Sequence, residues 1–311
     1  MTTPTPTLPG VTVSVLTWNG ERYLDALLSA VRDQDYAGEV DILIVDSGST
    51  DGTLGIIALH PEVRLHQIPN SEFGHGSTRN LVARLAEGEI VVYLTHDAVP
   101  AGPGWLTRLI DPFLDDERIV AVVGKQVPRP GCVPIVKYDI ERVFERLGPD
   151  YGHTVFFDDG TLTTDRLREA AGFYSDANSA ARRSVLLGPV PYRDVDYAED
   201  QAFGRDLIAA GLRKAYAPGA AVEHSNDLTL GEFGRRIVDE IVSLRRLGTD
   251  IPRLSVRGAL TQAVKWGAVD AGCILIDKEL SGIQKFGWLF ANPVWHLVKW
   301  MNFRKATREV L

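Results

Sequence analysis

The sequence predicts an α/β fold: a mostly parallel sheet with helices on both faces, extended by a C-terminal helical region. Three observations carry that prediction. Runs of β-branched and apolar residues recur without polar alternation, as in strands buried on both faces. Segments with apolar residues at helical spacing lie between them. The two kinds alternate steadily from Val11 to Val123, which is the rhythm of a parallel sheet covered on each side.

The elements follow in order. Val11–Thr17 is the first strand, and 21–32 is a helix with Leu24, Leu27, Leu28 and Val31 on one side. A second strand at 40–45 leads to a helix at 51–59, and a third strand at 63–68 leads to a helix at 77–86. A fourth strand at 89–94, a helix at 105–114 and a fifth strand at 119–123 complete the alternation. Segment 129–171 is less regular, with Pro-Gly turns, an acidic-aromatic piece at 156–160 and one helix around 136–147; such an excursion is a functional loop or a small subdomain. Segments 178–187 and 198–210 read as helices, the latter ending at Gly211 as a C-cap, and 214–224 returns as a strand. After Thr229 the chain reads mainly as amphipathic helices with basic punctuation, and no internal repeat is present. The expected organisation is a loose, disordered tail at 1–10, an α/β domain at 11–228 with halves 11–128 and 129–228, and a helical region at 229–311.

Composition narrows the function. The 311 residues carry 33 Lys and Arg against 41 Asp and Glu, a net charge of -8, which argues against a nucleic-acid partner. Hydrophobic residues make up 45%, enough for a sizeable core. Cys132 and Cys273 are far apart and match no zinc spacing, so a reducing, cytoplasmic setting is the simpler reading. The first ten residues have neither the basic start nor the apolar run of an export signal. The most apolar late stretches are 259–276, broken by Gln262, Lys265 and Asp270, and 286–301, broken by Asn292, Pro293, His296 and Lys299; neither reads as a bilayer crossing.

Several short motifs bear on chemistry. The first strand-to-helix turn, Thr17-Trp18-Asn19-Gly20-Glu21, has one glycine where a dinucleotide-binding loop needs three, which disfavours a dehydrogenase. The second strand ends in Asp46-Ser47-Gly48-Ser49-Thr50-Asp51-Gly52. A carboxylate there is placed to accept hydrogen bonds from a base or a ribose, or serves turn and cap chemistry with Ser49 or Thr50 as N-cap. The fourth strand ends in Thr95-His96-Asp97-Ala98, where Asp97 is either a turn residue or a ligand for a hard cation such as Mg²⁺ or Mn²⁺. Glu199-Asp200 opens a helix whose dipole stabilises acids and lowers their pKa, whereas burial or a neighbouring acid would raise one toward the range of a general base. Asp176 and Asn178 stand where they can cap a following helix.

Taken in order, Thr-x-Asn, Asp-Ser-Gly-Ser-x-Asp-Gly, the fourth-strand acid, Glu199-Asp200 and His224 resemble the family 2 glycosyltransferases of the GT-A fold, over roughly Val11 to Ser225. The segment Ser71-Glu72-Phe73-Gly74-His75-Gly76-Ser77-Thr78-Arg79-Asn80, followed by Thr95-His96-Asp97-Ala98-Val99-Pro100, resembles the rhamnosyltransferase branch, which uses dTDP-L-rhamnose to build bacterial surface polysaccharides. The resemblance implies that Thr17, Asn19, Glu21, Asp46, Ser47, Gly76, Arg79 and His96 bind the donor nucleotide. It implies that Asp97 and His224 hold Mg²⁺ or Mn²⁺, that Asp200 is the catalytic base with Glu199 orienting it, and that His75, Asp176 and Asn178 meet donor sugar or acceptor. Arg79 has a second reading as an ion pair with Asp51 or Asp97, and His153, Phe156 and Phe157 read as a mobile acceptor loop. The usual Asp-x-Asp is thinned here to His96-Asp97-Ala98. The implied reaction transfers L-rhamnose, with inversion, from dTDP-β-L-rhamnose to a glycan or polyprenyl-linked acceptor, at the inner face of the plasma membrane. Alternatives are another donor (UDP-GlcNAc, UDP-galactose) and a non-catalytic nucleotide-sugar-binding protein. Four tryptophans among basic residues after Thr229 read as a helical cap on the core, with a homodimer contact or a peripheral membrane contact as the other partners.

Overall fold

A computed structural model describes residues 8–195 and 197–309. Positions 1–7 of the expected tail lie outside the described residues. The chain divides into two compact units: Met1–Val127 with Val143–His224, and Pro128–Arg142 with Ser225–Leu311. Residues 128–142, expected in the α/β domain, therefore group with the C-terminal helices.

The first unit is a nine-stranded sheet between helices. In chain order it holds β1 (Val11–Thr17), α1 (Leu24–Arg32), β2 (Val40–Asp46), α2 (Thr53–Ile57), β3 (Val63–Gln67), α3 (His75–Leu85), β4 (Ile90–Thr95), β5 (Val99–Pro100), α4 (Trp105–Asp115) and β6 (Ile119–Val127). The later part of α5 (Pro134–Glu145), β7 (Thr154–Phe156), α6 (Asp165–Gly172), β8 (Asn178–Arg182), α7 (Arg183–Leu186), α8 (Glu199–Ala209) and β9 (Arg213–Glu223) complete it. The strand order is β3-β2-β1-β4-β8-β6-β9-β5, with β7 on β9. The apolar runs became the central strands: Val11, Val13, Val15, Ile44, Ile90, Val92, Ile119 and Val122 are almost wholly buried in one core with Leu24, Leu27, Leu28, Leu106 and Leu109 from the helices.

Segment 178–187, expected as one helix, splits in two: Asn178–Arg182 is β8, antiparallel to both β4 and β6, and the helix is confined to α7, Arg183–Leu186. Ser179, Ala180 and Ala181 carry no β-branch and score as helix formers, but two neighbouring ladders offer hydrogen bonds on either side, and small side chains suit a strand closed in on both faces. The expected N-cap at Ser49 or Thr50 is not formed either: α2 starts two turn residues later with Gly52 at its N-cap. Segment 153–157 is no free loop: β7 pairs with β9, and the Arg213 guanidinium lies 4.4 Å from the centre of the Phe157 ring. The Gly211 cap is present, with φ of +71° at the end of α8 and its N–H on the Ile208 carbonyl.

Because β1, β2 and β4 run parallel, β8 runs against β4 and β6, and β9 runs with β6, the carboxyl ends of β1, β2, β4, β6 and β9 share one edge with the start of β8. That edge is where ligands of such sheets bind.

The second unit contains α9 (Leu230–Arg246), α10 (Val256–Ile276) and α11 (Gly282–Ala306) with the first part of α5. Thr229 and Ser281 open α9 and α11 with reciprocal capping boxes to Glu232 and Gln284. Inside the unit Asp270, fully buried, accepts from Arg142 Nη1 at 2.7 Å and meets His296 Nε2 at 2.9 Å. Among the described residues no helix is long and apolar enough to cross a membrane, and no disulfide joins the two cysteines.

Candidate functional site

The site is built at that strand edge from three clusters. The first is the loop after β1 and β2. Asp46 is fully buried, and its carboxylate accepts from the Gly48 and Ser49 backbone N–H groups at 3.0 Å each, from Ser49 Oγ at 2.5 Å and from Thr17 Oγ1 at 2.9 Å. A carboxylate has about four acceptor positions, so Asp46 is saturated within its own loop and frames the pocket rather than reaching a base or ribose. Ser47 is likewise turned inward, its Oγ donating to the Thr17 carbonyl. Asn19, at φ of +51°, donates its backbone N–H to Ser49 Oγ and accepts from the Thr50 N–H at 2.8 Å. Glu21 accepts from the Gly52 N–H at 2.7 Å. Asn19 and Glu21 are exposed, and the His96 ring packs about 3.0 Å from where a Cβ on Gly20 would stand, so a larger residue there must push that ring aside.

The second cluster lies past β4 and β9. Asp97 Oδ1 is 3.5 Å from His224 Nε2. Burial alone would push the Asp97 carboxyl up, but its partnership with His224 outweighs burial and holds it well below the usual carboxylate range. Gln126, on β6, donates from Nε2 to Ser175 Oγ at 2.9 Å and turns its Oε1 toward His224 Nδ1 at 2.8 Å. An acceptor at that position calls for a proton on Nδ1, which leaves the Nε2 lone pair aimed at a carboxylate. Such a pairing requires a cation, proton or metal, between the two groups. One carboxylate oxygen and one imidazole nitrogen suit a divalent ion whose remaining positions are filled by phosphate oxygens. Among the described residues no group of three or more His, Cys, Asp or Glu could hold a metal unaided.

The third cluster surrounds Asp200, two positions into a helix that follows Ala198 in the left-handed region at φ of +63°. Arg79, buried, lies between Asp176 Oδ2 at 2.5 Å from Nε and Glu199 Oε1 at 2.6 Å from Nη1. Neither Asp51 nor Asp97 is its partner here. Asp176 also accepts from Ser179 Oγ at 2.7 Å and the Tyr192 hydroxyl at 2.8 Å. Among the described residues, Asp200 accepts from two backbone N–H groups, of Gln201 at 2.7 Å and Asp176 at 3.3 Å. One guanidinium thus faces three carboxyl groups. Burial, then the charges of Glu199 and Asp176, push Asp200 up to about 8 against the opposing pull of Arg79. Asp200 is the acid with the fewest stabilising donors, so it carries the proton that the cluster must keep. The helix-dipole effect expected at this position is overridden.

Several expected roles are corrected. Asn178 is fully buried with its amide committed: Oδ1 accepts from Trp105 Nε1 at 3.0 Å, and Nδ2 donates to the carbonyls of Lys125 at 2.9 Å and Ala220 at 2.7 Å. It holds α4, β6 and β9 together and has no polar atom left for a substrate. Gly76 faces protein, since a Cβ there would stand 1.9 Å from the Arg193 carbonyl oxygen. Asn80 grips the Tyr192 backbone from both sides, at 2.9 and 3.0 Å. The segment 71–80 therefore seats the loop leading to Asp200 and supplies Arg79 to the carboxylates, whereas the resemblance implied that Gly76 and Arg79 bind the nucleotide. His75 remains partly exposed, with Nδ1 3.8 Å from Glu199 and an edge-on contact to Phe73; burial pulls its pKa down. The sequence reading missed Gln126, Ser175 and Tyr192. Ser175, beside Asp176 in the chain, joins the His224 cluster to the Asp200 cluster through Gln126.

Residues 12–187 match the family described as Glycosyl transferase family 2. The chain is 28% identical over 232 residues to the O-antigen chain rhamnosyltransferase RfbN of Salmonella typhimurium, covering 74% of this chain and 70% of that protein. It is 31% identical over 208 residues to the O-antigen chain rhamnosyltransferase WbaN of Salmonella anatum, covering 64% of this chain and 60% of that one. Among solved structures, the mannosyltransferase PcManGT from Pyrobaculum calidifontis, in complex with GDP-Man and Mn²⁺, superposes with a TM-score of 0.60 at 19% identity, covering 97% of this chain and 88% of that chain. That likeness is one of fold.

Proposed function

The chain belongs to glycosyl transferase family 2, and from that premise we propose that this glycosyltransferase moves L-rhamnose from dTDP-β-L-rhamnose to a hydroxyl of a glycan or polyprenyl-linked saccharide, with inversion, in cell-surface polysaccharide synthesis. The observation that carries the reaction type is the Asp200 cluster: a carboxyl pushed up to about 8, at the same strand edge as the Asp97–His224 pair. The similarity to two rhamnosyltransferases supports the sugar.

Asp200 takes the proton of the acceptor hydroxyl as that oxygen attacks the anomeric carbon, and the bonding pair leaves with the diphosphate. Arg79 fixes Glu199 and Asp176 beside it, so Asp200 keeps its position through the proton transfer. Thr17, Asn19, Glu21 and His96 border the donor end, where Asp46 and Ser47 hold the loop in shape. Asp97 and His224 would hold a divalent cation, Mg²⁺ or Mn²⁺, which supplies Lewis-acid stabilisation of the charge building on the departing diphosphate. His75 lies next to Glu199 at the exposed side, where it is available to a sugar hydroxyl.

The test is nucleotide release by the purified chain from dTDP-rhamnose, UDP-GlcNAc and UDP-galactose in parallel, with and without excess chelator. Preferential dTDP release that stops on chelation is the expected result. Faster release of UDP would replace the donor and favour the second reading, which rests on 34% identity over 89 residues to a poly(ribitol-phosphate) β-N-acetylglucosaminyltransferase of Staphylococcus aureus. Nucleotide binding with no turnover of any donor would leave a binding protein.

A further inference from the structure

The hairpin of α10 and α11 is inverted relative to an ordinary surface hairpin. Its polar side chains point inward: Asp270 and His296 are fully buried against each other with Arg142, and Asn292 donates to the Gly267 carbonyl at 2.7 Å. Several of its large apolar side chains point outward. On α11, Ile283, Phe286, Phe290, Val294 and Leu297 fall at helical spacing along one stripe and are 88%, 66%, 69%, 49% and 43% exposed. At a rise of about 1.5 Å per residue that stripe is roughly 21 Å long. Val264 and Ile276 of α10 add to the apolar surface, at 74% and 78%. A stripe of large apolar side chains exposed along one helix marks a surface that something apolar covers.

Charge identifies the occupant. α10 and α11 together carry six basic residues and a single acid, the internal Asp270. Arg257 and Lys265 are exposed on α10; in the connection to α11 the exposed Lys278 stands between Asp277 and Glu279, both paired with Lys137, and adds no net charge. Residues 225–311 hold 13 Lys and Arg against 9 Asp and Glu, in a chain whose totals are 33 against 41. A second copy laid against this face would bring like charges together. An anionic lipid surface attracts them, and long basic side chains reach headgroups while their stems lie among apolar neighbours. Neither helix is long and apolar enough to cross a bilayer, which leaves a position in the interface plane. We infer that the α10–α11 hairpin is a peripheral membrane anchor, its α11 stripe submerged at the acyl boundary of an anionic leaflet and its basic residues at the headgroups. This inference does not rest on the donor or acceptor assigned above.

The experiment is co-sedimentation of the full chain with vesicles of phosphatidylcholine containing about a quarter phosphatidylglycerol, and with vesicles of phosphatidylcholine alone. The wild type is expected to pellet with the anionic vesicles and to lose most of that binding in 0.5 M salt or without phosphatidylglycerol, as surface electrostatics are screened over about 4–8 Å there. F286S/F290S, changed only at exposed positions, is expected to bind at least tenfold more weakly. R257E/K265E is expected to lose the preference for anionic vesicles. Both variants should keep the wild-type circular dichroism and melting temperature. The inference is overturned if the wild type stays in the supernatant with anionic vesicles, or if F286S/F290S pellets as well as the wild type. It is also overturned if sedimentation velocity without vesicles shows a dimer that F286S/F290S converts to monomer, because a second copy then covers the face.

Discussion

Replacing Asp200 by Asn should abolish transfer and, at alkaline pH, make the protein more stable. With the Asp200 carboxyl at about 8, roughly a tenth of free enzyme carries the base form at pH 7 and nine-tenths at pH 9. Wild-type kcat/KM is therefore expected to rise about tenfold across that interval, and the Asp200→Asn variant to lie about 10²- to 10⁴-fold lower, without a pH trend from this group. Stability moves the other way. In the unfolded chain this carboxyl loses its proton near pH 3.9, and in the folded state near 8, so between those values the folded state binds more protons and its stability falls as pH rises. An amide has no proton to lose. The melting temperature of the variant relative to wild type should therefore climb from pH 5 to pH 9. Groups outside the Asp200 cluster titrate in both proteins and cancel in that difference. At pH 5 the wild type should be at least as stable as the variant, because the amide sets an N–H₂ against the N–H of Gln201 or Asp176. The paired assays are steady-state nucleotide release and scanning calorimetry over pH 5–9. A melting difference that stays flat with pH would refute the charge argument, and near-wild-type turnover would remove Asp200 from catalysis.

Three further outcomes test other parts of the site. Gln126→Ala removes the acceptor that fixes the His224 tautomer and should weaken divalent-metal activation of donor turnover by about 10- to 100-fold, read from a Mn²⁺ titration; an unchanged titration would separate His224 from the cation. Gly76→Ala places a carbon 1.9 Å from the Arg193 carbonyl, so the loop before α8 must move; a loss of about 1–3 kcal/mol in urea unfolding and a drop in kcat about 10²-fold are expected, and wild-type values of both would show that this loop yields freely. Asn178→Ala strands Trp105 Nε1 and two buried carbonyls, at about 1–3 kcal/mol for each unmet group, and should leave the donor KM of the folded fraction unchanged; a selective rise in KM would return Asn178 to the substrate.

The sheet was legible because its strands are buried on both faces, and Val11–Thr17 or Ile90–Thr95 admit little else. β8 was not, since Asn178 to Arg182 have the local preferences of a helix and become a strand only once two ladders stand ready on either side. The acids at the strand ends and Asp200 were visible as residue types at telling positions. Their division of labour was not. Arg79 and Asp176 are far apart in the chain, and only the folded arrangement shows that one guanidinium must serve three carboxyl groups. Gln126 looks like any polar residue near a strand end until its two ends are seen to touch Ser175 and His224. Asn178 and Gly76 belong to segments that suggested ligand contact, and their real partners are main-chain atoms remote in sequence, which no local pattern reveals.

The full commitment of Asp46 to its own loop has a consequence for how the protein chooses a nucleobase. A group with every acceptor direction occupied cannot sense whether thymine, uracil or guanine lies above it. On the function proposed above, selectivity would then fall to the atoms at the rim, among them the solvent-facing side chains of Asn19 and Glu21. Donor preference would be altered there by exchanges that leave Asp46 in place and keep an acceptor for the Thr50 and Gly52 N–H groups.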